Sequence, residues 1–153
     1  MAANRIRVAK DKAELVKSLV ASKDTTGPFQ TYVEVMVFAA ALGAKHKKRV
    51  PIEGIAKDIS PLRQDYFSNS FALLINLLAI TETKDIKILS EEDVADEQRI
   101  HIFEEYANSG LEIIQNELRG AVDYSERLLL ILSSERFNNE YEEEEFNLSK
   151  FLS

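Results

Sequence analysis

Four cations and a histidine stand together in Lys45-His46-Lys47-Lys48-Arg49, the densest positive charge of the chain. Ammonium and guanidinium groups at this density attract phosphates with a strong dependence on salt. A second basic pair, Arg5 and Arg7, alternates with Ile6 and Val8, and Lys10 follows. Guanidinium groups there can fork onto guanine edges or phosphates. The amides of Thr26 and Gly27 precede an apolar helix, where backbone N–H groups can hold a phosphate. Arg5, Arg7, Lys10, Thr26, Gly27, Lys45, Lys47, Lys48 and Arg49 are therefore the candidate DNA-binding residues. Each has a plainer reading beside it. Cations just after a helix also compensate its negative C-terminal end, and basic–apolar alternation is common to any half-buried edge.

Catalytic constellations are missing. The five glycines sit singly, with no phosphate-cradling loop, no dinucleotide fingerprint and no serine elbow. There is no cysteine, so thiol nucleophiles, disulfides and thiolate zinc sites are excluded. His46 lies among cations that repel a metal. Glu97, His101 and Glu105 share one helix face at a spacing of four, which could seed a carboxylate–histidine metal site. That stripe sits opposite Phe103, Ala107 and Leu111, so it reads as an exposed face. Asp65 with Glu82-Thr83-Lys84 invites a metal-dependent nuclease, but here the last three fall at a helix end rather than on a strand beside the aspartate. No enzyme activity, metal or cofactor is expected.

The elements that would position these residues are mostly helical. The stretch 27–43 opens with turn residues and runs through a helix apolar on most sides, which must be buried on most sides. It is the expected centre of the fold, with Thr25 or Thr26 as cap, Pro28 in the first turn and Gly43 left-handed at the end. Before it, residues 5–8 read as a short strand and residues 11–22 as a helix with Leu15, Val16, Leu19 and Val20 on one face. After the basic loop, a short helix over 52–58 is expected. Ser60-Pro61 starts a stripe of Tyr66, Phe67, Phe71, Leu74, Leu77 and Leu78, with Asn69-Ser70 a point of interruption. Residues 86–89 are a short strand or a packed linker. The longest helix covers about 90–118, with a core face of Phe103, Tyr106, Ala107, Gly110, Leu111, Ile114 and Leu118. Asp123-Tyr124-Ser125-Glu126 is a capping box for a last helix.

The totals fit one mainly α domain over residues 1–136, followed by a mobile acidic tail over 137–153. The net charge is −7, but it is unevenly spread: residues 1–76 hold 12 Lys/Arg against 7 Asp/Glu, and residues 77–153 hold 7 against 19. That asymmetry suggests a basic working end and an acidic one. No signal peptide is visible, and the longest apolar run is far too short to span a bilayer. A cytoplasmic setting without membrane contact is expected.

Strand, helix, turn, helix is the order of a ribbon-helix-helix module, in which two chains pair strands into a ribbon for the major groove. An unpaired short strand accordingly favours a homodimer. Residues 5–12, 26–42 and 120–127 (Gly-Ala-Val-Asp-Tyr-Ser-Glu-Arg) resemble the DNA phosphorothioation-associated protein 4 family. The resemblance covers about residues 4–136 and leaves the acidic tail outside. It implies a bacterial defence island in which sulfur replaces a non-bridging phosphate oxygen of DNA, while neighbouring products install the sulfur or attack DNA lacking it. It brings no catalytic residues. The strand-helix-helix order is also similar to the small DNA-binding subunit of the sulfur-modification complex. The expected function is a non-enzymatic accessory protein of such a modification or restriction system, touching DNA through its basic N-terminal face and holding partner proteins of the system. The alternative is a protein–protein adaptor without DNA contact.

Overall fold

In the computed structural model, residues 102–111 of the longest helix are all buried, polar ones included. The structure describes residues 4–23 and 25–136; the acidic tail expected over 137–153 lies outside them. The chain divides into two compact units, residues 1–116 and 117–153.

In the first unit the helices are α1 (Ala13–Leu19), α2 (Tyr32–Lys45), α3 (Asn69–Thr83) and α4 (Asp93–Leu118). Short 3-10 turns at Lys10–Lys12, Gln64–Tyr66 and Ile86–Leu89 connect them. The mainly helical expectation holds, but the N-terminal strand does not form. Among the described residues there are only isolated bridges, Ile6 to Leu62 and Ala9 to Ile55 being the two near the N-terminus. Ile6 exchanges both backbone hydrogen bonds with Leu62, at 2.8 and 2.7 Å, while Lys10 N–H donates to Gly54 and Val8 C=O accepts from Ala56. The partner segment carries Pro51, Gly54 and Pro61, which interrupt a ladder. The ribbon-helix-helix order is therefore overturned. The backbone groups that a second chain would need are already bonded within this one. The same pairing keeps residues 52–58 out of a helix, with bends at Gly54, Lys57 and Asp58. Ile6 and Val8 do point into the core, both at most 1% exposed.

The centre of the fold is α4, not the 27–43 stretch. α2 is largely buried, as its composition requires, but it packs as one wall. It starts later than expected, at Tyr32 under a Thr31 cap, because Gly27 belongs to a tight return: a Cβ there would lie 2.3 Å from the Leu19 carbonyl carbon. α2 also runs past Gly43, which is helical. Gly43 and Gly110 mark where α2 and α4 cross backbone to backbone. A Cβ on Gly43 would sit 2.1 Å from Tyr106 O, and one on Gly110 would sit 1.7 Å from Ala39 O. α3 begins at Asn69, capped by Ser68 Oγ, so the expected interruption is its start and Ser60-Pro61 is not. The expected core face of α4 is buried throughout, with Phe67 packed edge-on against Phe103 at 5.8 Å.

In the second unit Gly120 is left-handed at φ 78°, and Asp123 Oδ1 accepts from Glu126 N–H as the capping box predicts. Helix α5 covers 124–136 and buries Leu128 and Ile131.

Candidate functional site

α4 carries buried polar side chains that clamp the basic segments. Glu104, 1% exposed, takes a forked bond from Arg7 (Nε to Oε2 and Nη2 to Oε1, both 3.0 Å) and a 2.6 Å bond from Arg7 N–H. The Glu104 bond holds the Arg7 guanidinium further above its ordinary value. The next residue, Glu105, takes Arg49 Nε at 3.1 Å. Arg49 Nη1 reaches Glu82 of α3 at 2.6 Å, and its guanidinium lies 6.0 Å from the Tyr106 ring centre. Successive residues of a helix diverge by about 100°, so the N-terminal segment and the 49–51 segment arrive on different flanks of one turn. Asn108 completes the clamp by bonding Lys12 Nζ at 3.1 Å and the carbonyls of Val50 and Pro51 at 3.2 Å.

These pairs correct the exposed-face reading of α4. His101 and Glu97 are exposed as expected, but Glu105 is buried and accepts from both Arg49 and His101. A period-based reading assigns carboxylates outward, and the polar stretch Glu104-Glu105 carries no sign that basic segments cover it. Arg7 and Arg49 are brought to the same turn, and there the chain's own carboxylates neutralise them. Arg5 and Arg7 line a groove of ≈ 670 Å³ together with Glu97 and Glu104, so its charge is balanced rather than phosphate-seeking.

Thr26 and Gly27 lie ahead of α2 rather than at its N-terminus. That terminus is already occupied: Thr31 Oγ1 accepts from Glu34 N–H, and Glu34 Oε2 accepts from Gln30 N–H at 2.8 Å. A carboxylate in the first turn takes the place an anion would use. Asp65 pairs with Arg63, and Glu82 is held by Arg49 and Tyr106. Among the described residues no group of three His, Asp or Glu could hold a metal.

What stays open is the end where α2 and α3 finish. Lys45, His46, Lys47 and Lys48 are exposed. Lys47 N–H returns to Ala44 O and Lys48 N–H to Gly43 O, the paired bonds of a Schellman termination. Its left-handed position, normally glycine, is Lys47 at φ 54°. α3 also ends on a left-handed lysine, but by the single bond of the αL motif: Lys84 has φ 56° and its N–H reaches Ile80 O at 2.7 Å. Because Arg49 bonds Glu82 in the last turn of α3, the two left-handed lysines belong to neighbouring ends. Among the described residues Lys47, Lys48 and Lys84 form no ion pair. Sequence reading named Lys84 only in the nuclease triplet and not as a candidate DNA contact.

The carboxylates in these clamps set a pH window. Tyr106 and then Arg49 hold Glu82 below the usual range. Burial pushes Asp96 up, but bonds from Asn4 and Gln64 with the Arg99 charge outweigh it and leave Asp96 low. Burial, then Glu82, pushes the Tyr106 phenol up to about 12. A depressed carboxylate stabilises the fold above its unfolded value and loses that contribution as pH falls through the folded one. A raised phenol loses its contribution as pH rises from its unfolded value near 10 toward 12. Melting temperature should therefore fall below about pH 4 and again above about pH 10. In Tyr106→Phe the alkaline decline should shrink, and the acid decline should shrink as well, because Glu82 loses the donor that chiefly holds it low. Thermal scans across pH read both.

No helix among the described residues is long and apolar enough to cross a membrane. Among curated proteins and solved structures, none matches the chain. A family model does, over residues 5–151, which takes in the acidic tail that the resemblance had left outside. With nearly its whole length matched, the chain belongs to the DNA sulphur modification system-associated protein 4 family.

Proposed function

We propose that the chain is a non-enzymatic accessory protein of a DNA sulphur modification system that holds DNA by its phosphate backbone, through the lysines ending α2 and α3. One observation carries this: lysine occupies the left-handed position ending α2 and that ending α3, whereas the end of α4 uses Gly120. A non-glycine residue in that conformation costs about 1 kcal/mol. A cation kept there against that cost suggests a use for the cation. Arg7 and Arg49 serve as struts in this reading, and base edges are not read by them. Arg5 and Lys10, exposed on the surface, supply further phosphate contacts. The adaptor alternative draws its support from α5, where Leu129, Leu130 and Leu132 are exposed.

The test separates binding from stability. Lys47→Gly and Lys84→Gly should each stabilise the fold by roughly 0.5–1 kcal/mol in urea titrations. Combined with Lys48→Ala, they should weaken duplex binding. The slope of log affinity against log salt should become shallower by about 0.9 for each phosphate no longer neutralised. Plain and sulfur-modified duplexes are both titrated by fluorescence anisotropy. Unchanged affinity and slope in the triple variant, or no binding by the native chain, leaves the adaptor reading.

A further inference from the structure

The groove beside Arg5 and Arg7 has the dimensions of an extended chain. One wall is a face of α4, where Val94, Glu97, Gln98 and His101 recur at spacings of three and four. Residues 4–7 form the other wall. They run alongside α4, tied at one end by Asn4 to Asp96 Oδ2, at 3.1 and 3.0 Å, and at the other by Arg7 to Glu104. From Val94 to Glu104 the helix rises about 15 Å. Dividing the groove's ≈ 670 Å³ by that length gives a section of about 45 Å². An extended chain, with packing distances of about 4.8 and 10 Å, has a section of about 48 Å². A helix about 10 Å across needs about 80 Å². The groove therefore has room for about four extended residues and none for a helix.

We propose that this groove binds a short extended peptide segment with an acidic and a basic residue next to each other. Charge complementarity selects that occupant. Arg5 and Glu97 are exposed, and among the described residues their side chains form no hydrogen bond or ion pair. Arg7 holds Glu104 through Nε and Nη2, which leaves Nη1 to donate to a ligand. The arginine wall takes the peptide's carboxylate, and Glu97 takes its cation. Successive side chains of an extended chain point to opposite sides, so neighbouring residues reach opposite walls. Ile100, 4% exposed, and Pro61 also line the groove and offer apolar surface to the aliphatic stems of both side chains. A run of phosphates fits poorly, because Glu97 and Glu104 repel it. A segment bearing both charges leaves the groove neutral.

This binding goes beyond the DNA reading. Arg5 is the one groove residue that the two share, and the test contains no DNA, so each fails separately. The probes are acetyl-Val-Glu-Lys-Val-amide and acetyl-Val-Lys-Glu-Val-amide, the two orders in which the charges can meet the walls. Each is titrated to millimolar concentration into the isotope-labelled full chain. One of them should shift the amide NMR signals of Arg5, Glu97 and His101 with saturation. Arg5→Ala and Glu97→Ala should each weaken that binding roughly fivefold. Both positions are exposed, so circular dichroism should not change. Acetyl-tetraalanine-amide and inorganic phosphate are the comparison ligands and should leave the three signals in place. The proposal is overturned if neither charged probe moves them, or if both variants bind as the native chain does. It is also overturned if tetraalanine or phosphate moves them as strongly as the charged peptide.

Discussion

Gly110→Ala is expected to destabilise the fold by roughly 3 kcal/mol or more, at the upper end of what overpacking costs. The added methyl would stand 1.7 Å from Ala39 O, 2.5 Å from its carbonyl carbon and 2.8 Å from its Cα. All three are backbone atoms of a helix, so no side chain can swing away. α2 and α4 would have to separate, and the packing that their approach creates on both sides would loosen together. Trimming the neighbour cannot relieve it: Ala39→Gly removes a methyl and leaves the offending carbonyl in place. Gly54→Ala is the control. Its methyl would meet only Lys10 side-chain carbons, at 3.6 and 3.8 Å, which is ordinary contact. Urea titrations should show a large loss at residue 110, little change at residue 54, and no rescue in the Ala39→Gly double variant. A domain of this size is commonly stable by only 5–15 kcal/mol, so the first variant should also melt well below the native chain. Equal stability of Gly110→Ala and the native protein would mean that the two helices do not cross this closely.

The same crossing shows what the sequence could reveal. The apolar spacing in α4 was legible because its period is local: Phe103, Ala107, Leu111 and Ile114 repeat as a buried stripe must. The capping box at Asp123 and the burial of Ile6 and Val8 were legible for the same reason. The ends of α2 were not. Thr31 with Glu34 is as good a starting signal as Thr25 or Thr26, and only the close approach of Gly27 to Leu19 decides between them. Gly43 looks like a terminator, and the need for a Cβ-free surface under Tyr106 keeps it helical. The choice of central element failed through composition. α2 is the most apolar stretch, but α4 is the more enclosed one. Its polar residues are buried because cations from residues 7, 12 and 49 come to meet them. Those pairings span sequence distances that no periodicity records. The nine candidate DNA-binding residues divided along that line. Arg7 and Arg49 were drawn inward by carboxylates about fifty to a hundred positions away, while the lysines beside Arg49 stayed outside.

Arg7 therefore bears on stability rather than on DNA. Arg7→Ala should destabilise the fold by roughly 2–4 kcal/mol. That lies somewhat below the usual cost of stranding a buried charge, because the Arg7 side chain is itself 42% exposed and water can partly replace it. Glu104 would be left at 1% exposure with Arg7 N–H as its remaining donor. Such a carboxylate is destabilised in its charged form, which is the source of the loss. The double variant Arg7→Met with Glu104→Gln should recover much of the loss, because the amide oxygen still accepts from the residue 7 N–H and no charge is buried. Denaturant titrations at pH 7 read all three proteins. Duplex titration at a temperature where Arg7→Ala stays folded gives the complementary result. If Arg7 is a strut, the salt slope is that of the native chain. If Arg7 contacts a phosphate, the slope falls by about 0.9. A small deficit with a reduced slope would return this arginine to the DNA face. The expected pattern, a large deficit that the double variant recovers and an intact slope, assigns it to holding the N-terminal segment against α4.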